Sequence, residues 1–253
     1  MWRFVSLCSV VLVVAWVPAR PAVAEEEPAE PEQPASRTGD WHLGLEALTD
    51  LPVQIGGHVS LETPYRIRVS TSLGFLPGPY VDLINAVVVA AGGYDEATAD
   101  VIAGAISNSL VWRIHLGWRP FRGHGFYFEV GYALVTLGGD VSGEDLILVA
   151  TGYDPAAESS SEHDYDVGST LHMIDVEVGW EFVFWEHFVV RVAIGVAATV
   201  GAHTEVEPLF EPAPRAQRWV DGLSQYGADY LDDIYTTYVF PPVVSLGLGY
   251  RFF

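Results

Sequence analysis

Val244-Ser245-Leu246-Gly247-Leu248-Gly249-Tyr250-Arg251-Phe252-Phe253 closes the chain. Val244, Leu246, Leu248, Tyr250 and Phe252 share one parity and are all apolar or aromatic. Ser245, Gly247, Gly249 and Arg251 share the other. Successive side chains of a strand point to opposite faces, so this alternation specifies a strand with one apolar face and one small or polar face. It sets Tyr250 and Phe252 on the first face and Arg251 on the second, and leaves Phe253 one residue beyond the alternation.

The same scheme recurs upstream. Val53, Ile55, Gly57, Val59 and Leu61 alternate with Gln54, Gly56, His58, Ser60 and Glu62, and Ile67 to Phe75 alternate with Arg66 to Gly74. Leu110 to Trp118, Phe126 to Leu134, Ile174 to Phe182, Phe188 to Val200 and Tyr238 to Phe252 repeat it. With a first strand at about Trp41–Leu48, the sequence predicts about eight strands. Half of the residues are hydrophobic and only 18% are charged, an unusual balance for an exported soluble domain. Spreading apolar residues along alternating strands with lipid outside resolves it.

Which face meets lipid follows from composition. The non-apolar face is rich in small residues (Gly195, Ala197, Thr199, Gly201, Ser245, Gly247, Gly249), which suits a tightly filled narrow interior. Aromatics gather at strand ends: Trp118, Phe121, Phe126, Phe182, Phe184, Trp185, Phe188, Tyr250 and Phe252, as in the girdles of membrane barrels. The fold class expected is all-β, a transmembrane antiparallel up-and-down barrel with helical extracellular loops. The last strand, with Leu248, Tyr250, Phe252 and Phe253, resembles the terminal signal of small, about eight-stranded outer-membrane barrels of Gram-negative bacteria. Its aromatic register is offset by one residue from their commonest form, and no characterised subfamily is identified. The resemblance implies the cell outer membrane as location. It also implies outer-membrane lipid, lipopolysaccharide and the barrel assembly machinery as partners.

Loop lengths set the topology. The even connections are short: Glu62-Thr63-Pro64-Tyr65, 120–124 and 184–187. Apart from a tight first turn at Thr49-Asp50-Leu51-Pro52, the odd ones are long, at about 77–108, 139–169 and 204–235. Short periplasmic turns and long external loops are the usual asymmetry.

The long loops contain helical patterns. Gly78-Pro79 opens one with Leu83, Ile84, Val87 and Val88, stopped by Gly92-Gly93. A second follows Asp95 with Val101, Ile102, Ala105 and Ile106. Ser142 and Asp145 suggest a capped helix through Leu146 to Val149. Pro214 opens another with Trp219, Val220, Leu223 and Tyr226. Such stripes would pack together as a lid over the outer mouth, or shape a pocket for an apolar small molecule between lid and rim.

Inward positions collect both charges: Glu62, Arg66, Arg68, Arg113, Arg119, Glu129, Asp175, Glu177, Glu181, Arg191 and Arg251, with His115 among them. A hairpin centred near Glu186 sets Glu181 opposite Arg191; one centred on Arg122 sets His115 opposite Glu129. Arg251 would lie near the first strand, with Glu46 its nearest inward carboxylate. Buried charge in so narrow an interior requires Arg–carboxylate pairing; a charge-lined conduit is the functional alternative.

Catalytic signals are weaker. Ser169-Thr170, His172 and Asp175, with His203-Thr204-Glu205, lie near one rim, where a nucleophile and base could meet. Barrels of the resembled kind include lipid-modifying enzymes, but none of their motifs is present. The segment from Asp140 to Asp166 carries eight acids and His163, without the turn glycine and closing glutamate of a calcium loop. No cofactor or metal site is expected.

The N-terminus reads as an export signal. Met1-Trp2-Arg3, an apolar run from Phe4 to Trp16 and Ala22-Val23-Ala24 predict a cleaved leader, residues 1–24. The only cysteine, Cys8, lies inside it. Residues 25–40, with three prolines and five glutamates, read as an acidic periplasmic linker ahead of a barrel over 41–253. Removing the leader's two arginines leaves 10 basic and 33 acidic residues, a net charge of −23. All basic residues are arginine, and a polyanion without a basic cluster excludes nucleic acid as a partner.

Overall fold

The computed structural model describes residues 41–90, 92, 99, 103, 108–121, 124–143, 147 and 164–252. The expected leader, the linker, Phe253 and most of the helical patterns at 93–107 and 144–150 lie outside the described residues. Of the densest acidic part, Glu162 to Asp166, residues 162 and 163 also lie outside, while Asp164 and Asp166 belong to a described strand.

Eight antiparallel strands form a closed barrel in sequence order: β1 (His42–Leu51), β2 (Gln54–Glu62), β3 (Ile67–Phe75), β4 (Asn108–Trp118), β5 (Phe126–Ser142), β6 (Asp164–Phe184), β7 (Phe188–Pro208) and β8 (Pro242–Arg251). Closure comes from β1 pairing with β8, Gly44 opposite Arg251 through Leu51 opposite Val244. Without a free edge, every backbone ladder is satisfied internally, as a lipid environment requires.

The barrel is inside-out. Outward residues form an apolar sleeve, exemplified by the cross-strand row Leu116, Val130, Val176 and Val196, which are 61%, 46%, 45% and 50% exposed. Leu246, Leu248, Tyr250 and Phe252 of the last strand face outward too. Inward residues of the same strands include Glu129, Glu177 and Arg191, all buried. A water-soluble barrel would reverse this polarity, so the fold is a transmembrane one.

Strand lengths are uneven. β5, β6 and β7 have 17, 21 and 21 residues, against 9 to 11 for the other five. The expected loops at 139–169 and 204–235 are thus shorter than predicted, because β5 continues to Ser142, β6 starts at Asp164 and β7 runs to Pro208. These three strands project beyond the others as a wall. Their outward residues turn polar there, with Asp140 opposite Asp166 and Asp166 opposite Glu207.

A bulge in β7 sets the wall's inner face. His172 pairs with Gly201 but Met173 pairs with Thr199, so Val200 is the extra residue. Beyond it, Thr204 and Val206 are buried rather than His203 and Glu205. Gly201 therefore sits at a change of parity and not in the plain inward series with Thr199.

Two helices are described over their full length. α1 (Gly78–Ala90) follows β3, and α2 (Gln217–Tyr238) precedes β8. α2 carries the stretch at Tyr238 that alternation had assigned to the last strand, which begins instead at Pro242. It buries Val220, Leu223, Leu231, Ile234 and Tyr235. Val220, Leu223, Leu231 and Tyr235 share one apolar cluster with Val111, Val135, Leu137, Tyr165, Val167, Leu171 and Met173. Trp219 and Tyr226, expected on the packed stripe, are 57% and 47% exposed. The chain leaving α2 is tied to β7, whose Ala197 and Thr199 amides donate to the carbonyls of Pro241 and Val239 at 3.1 and 3.3 Å.

Candidate functional site

Below that apolar layer, toward the short turns, the lumen is filled by charge. Arg113 on β4 reaches two other strands. Its Nη1 donates to Asp50 Oδ2 on β1 at 2.6 Å, its Nε to Asp175 Oδ2 on β6 at 3.1 Å, and its Nη2 to Asp175 Oδ2 at 3.0 Å and Glu177 Oε1 at 2.5 Å. Arg68 on β3 is the second hub. Its guanidinium contacts Glu181, Glu129 at 3.1 Å and Glu46 at 3.5 Å. Its Cζ also lies 5.0 Å from the centre of the Tyr127 ring. Arg191 donates from Nε to Glu46 Oε2 at 2.9 Å and lies 3.9 Å from Glu177. Nearer the turns, Arg119 bridges Glu62 at 2.9 Å and Glu181 at 2.6 Å.

Apart from Arg191 and Glu177, which lie on neighbouring β7 and β6, these pairs link non-adjacent strands across the lumen. Glu181 does stand opposite Arg191 in the β6–β7 ladder, yet each finds its close partners elsewhere. His115 stands opposite Gly131, and Glu129 opposite Gly117, so the expected His115–Glu129 pairing is two residues out. His115 Nε2 contacts Asp175 Oδ1 at 2.8 Å instead. Arg66 is not a lumen residue. It occupies the turn before β3 with φ of 67°, and its Nη1 donates to the Pro120 carbonyl at 2.9 Å. Arg251 lies at the rim opposite Gly44, and no ion pair with Glu46 forms; Glu46 is held by Arg68 and Arg191.

Several members were missed as site residues. Asp50, assigned to a turn, is the last inward residue of β1 and is 1% exposed. Gln54 donates to Asp50 Oδ2 at 2.7 Å and to Ser72 Oγ at 2.9 Å. His58 Nε2 lies 3.3 Å from Arg68 Nη2, and Arg191 Nη1 donates to the Tyr127 hydroxyl at 3.4 Å. Parity would have found them: Asp50 is two residues from Leu48 and four from Glu46, and Tyr127 is two from Glu129.

Glycine makes room for the network. A Cβ at Gly131 would lie 2.3 Å from Asp175 Oδ1 and 2.3 Å from His115 Cδ2, and Asp175 is pinned by Arg113. Gly131→Ala is therefore expected to cost about 1–3 kcal/mol by overpacking. Outward Gly57, with nothing within 4 Å of its Cβ position, should accept alanine without loss. The denaturant midpoint of each variant in lipid vesicles checks this pair.

His115, Asp175 and Glu177 bring one donor atom each within 4.8 Å of one another. A cation there would displace the Arg113 guanidinium, which contacts both carboxylates, so the group is an ion-pair cluster by its chemistry. The rim constellation is divided between two faces: on the outer one Thr170 stands opposite His203, and exposed His203 Nε2 lies 3.6 Å from Glu205 Oε1. His172 faces outward and meets Tyr132 OH at 2.6 Å, while Ser169 faces inward onto Thr204 at 2.9 Å and Asp175 onto Arg113. Residues of opposite parity in one strand stand on opposite faces of the wall.

No protein-family model and no curated protein matches the sequence. Among solved structures, the chain is similar to a major outer membrane protein from Thermus thermophilus. Identity is 15%, with 84% of this chain and 100% of that one covered, at a TM-score of 0.42. It is similar to the N-terminal β-barrel domain of Pseudomonas aeruginosa OprF, with 9% identity, 84% and 96% coverage and a TM-score of 0.39. Acinetobacter baumannii CarO follows with 12% identity, 83% and 97% coverage and a TM-score of 0.35. At these identities the likeness is one of architecture only.

Proposed function

We propose that this chain is an integral outer-membrane β-barrel closed to bulk flow, with a structural or binding role at the outer surface. The observation that carries this reading is the cross-lumen ion-pair network, in which Arg68, Arg113, Glu129 and Glu177 are at most 2% exposed. A water-filled pore would leave such side chains hydrated. Here they fill an eight-stranded interior that has room for side chains alone. Above them, α2 and the apolar cluster act as the lid, and outer-membrane lipid and lipopolysaccharide surround the sleeve. Any small-molecule ligand would be apolar and held between the lid and the rim of the barrel. The terminal strand ending in Leu248, Tyr250 and Phe252 is the element offered to the barrel assembly machinery.

In planar bilayers the purified protein is expected to give no stable conductance steps. Reproducible steps would sink the closed-barrel reading in favour of a narrow conduit. The network supports one property of such a conduit. Seven carboxylates (Glu46, Asp50, Glu62, Glu129, Asp175, Glu177, Glu181) face five guanidiniums (Arg68, Arg113, Arg119, Arg191 and, at the rim, Arg251) among the described lumen residues, so it would select cations.

A further inference from the structure

We infer that α1 is an interfacial helix. Its stripe of Tyr80, Leu83, Ile84 and Val87 rests among the acyl chains just below the headgroups of the leaflet at the long-loop end. The inference rests on the membrane placement proposed above and adds a lipid-contacting element outside the strands. Helical spacing marks these residues as a stripe suited to core packing, yet Leu83 and Val87 are 46% and 60% exposed. The buried face is a different one, made by Val81 and Asn85.

Three observations identify lipid as the occupant. First, Tyr80 anchors the helix on the outer surface of the barrel. Its hydroxyl lies 2.7 Å from Thr49 Oγ1. Thr49 is an outward residue of β1, flanked across the ladders by Ile55 and Leu246, which are 38% and 49% exposed on the apolar sleeve. The stripe thus continues a surface already directed at lipid. Second, at about 100° per residue, Tyr80, Leu83, Ile84 and Val87 fall within an arc of about 100°. Leu83, Ile84 and Val87 therefore share the azimuth of the side chain that reaches the sleeve. Third, Asp82, the sole charged residue of α1, falls on the far side of the helix, where water would be. α1 is apolar on most of its surface, with one charged residue, so its exposed stripe of Leu83 and Val87 suits lipid rather than water.

Single-site spin labels on the full chain carrying Cys8→Ser, reconstituted in phosphatidylcholine vesicles, test this. Labels at Leu83→Cys and Val87→Cys should collide severalfold more with oxygen than with a water-soluble nickel chelate, matching a sleeve control at Val196→Cys. A label at Asp82→Cys should show the reverse preference. If Leu83 and Val87 behave like Asp82 while Val196 reports lipid, the interfacial helix is refuted and the membrane barrel stands. If Val196 also prefers the chelate, the membrane placement itself fails. Labels at Leu83 and Val87 shielded from both reagents would mean a protein neighbour covers the stripe, which likewise overturns the inference.

Discussion

Arg113→Met is expected to lower the stability of the barrel by about 3–5 kcal/mol, because removing one partner leaves buried charge uncompensated. Arg113 is 2% exposed and contacts Asp50, Asp175 and Glu177 at 2.6, 3.0 and 2.5 Å. Methionine keeps much of the stem volume but supplies no charge and no donor, so three carboxylates would crowd an interior that water does not reach. Denaturant unfolding in vesicles, read by tryptophan emission, measures the loss. Adding Asp175→Asn and Glu177→Gln to the same chain should recover part of it, since two of the stranded charges are then removed. Recovery separates an electrostatic cause from a packing defect, which those changes would leave untouched. A single variant as stable as the parent would show that the network does not hold the interior together.

The second large effect concerns the other face. Val176→Arg should destabilise the vesicle-inserted barrel by about 2–4 kcal/mol, the cost of arginine near the middle of a lipid-facing strand. Val176 is 45% exposed, and its cross-strand neighbours Val130 and Val196 are as open. In a water-soluble protein, an exposed valine replaced by arginine would change stability by no more than about 0.5 kcal/mol. The sign and size of the effect therefore report directly on what surrounds the barrel. An unchanged unfolding midpoint, together with recovery of the chain in the soluble fraction, would falsify the membrane assignment. The inward neighbours Asp175 and Glu177 make the contrast sharper, since one residue along the strand separates a tolerated charge from a costly one.

Parity is what made so much of this molecule legible. Period-two alternation needs only the backbone geometry of a strand, so it marked the strands and sorted most side chains into sleeve and lumen before any contact was known. It misled where the backbone leaves that geometry. Arg66 shares parity with Arg68, yet its positive φ puts it in a turn. The bulge at Val200 was invisible because Ala198, Thr199, Val200, Gly201 and Ala202 are small or apolar in either register. Tyr238 to Phe240 carries aromatic and β-branched residues that read as the start of the last strand, but burial of Ile234 and Tyr235 keeps α2 helical through Tyr238. Tertiary packing overrides weak local preference.

The charge partners lie beyond any one-dimensional reading. Alternation says which residues enter the lumen, and hairpin register says which stand side by side. Neither says that Arg113 on β4 reaches Asp50 on β1 and two acids on β6, or that Glu46 is held by arginines from β3 and β7. Those distances exist only once β1 pairs with β8 and the ring closes. The sequence by itself determined the strands, their faces and the end that carries the long connections, because each depends on residues close together along the chain. Only the tertiary structure decided which charges meet, where β7 changes parity, and that the stripe on α1 faces outward, because each depends on closure of the sheet around its own side chains.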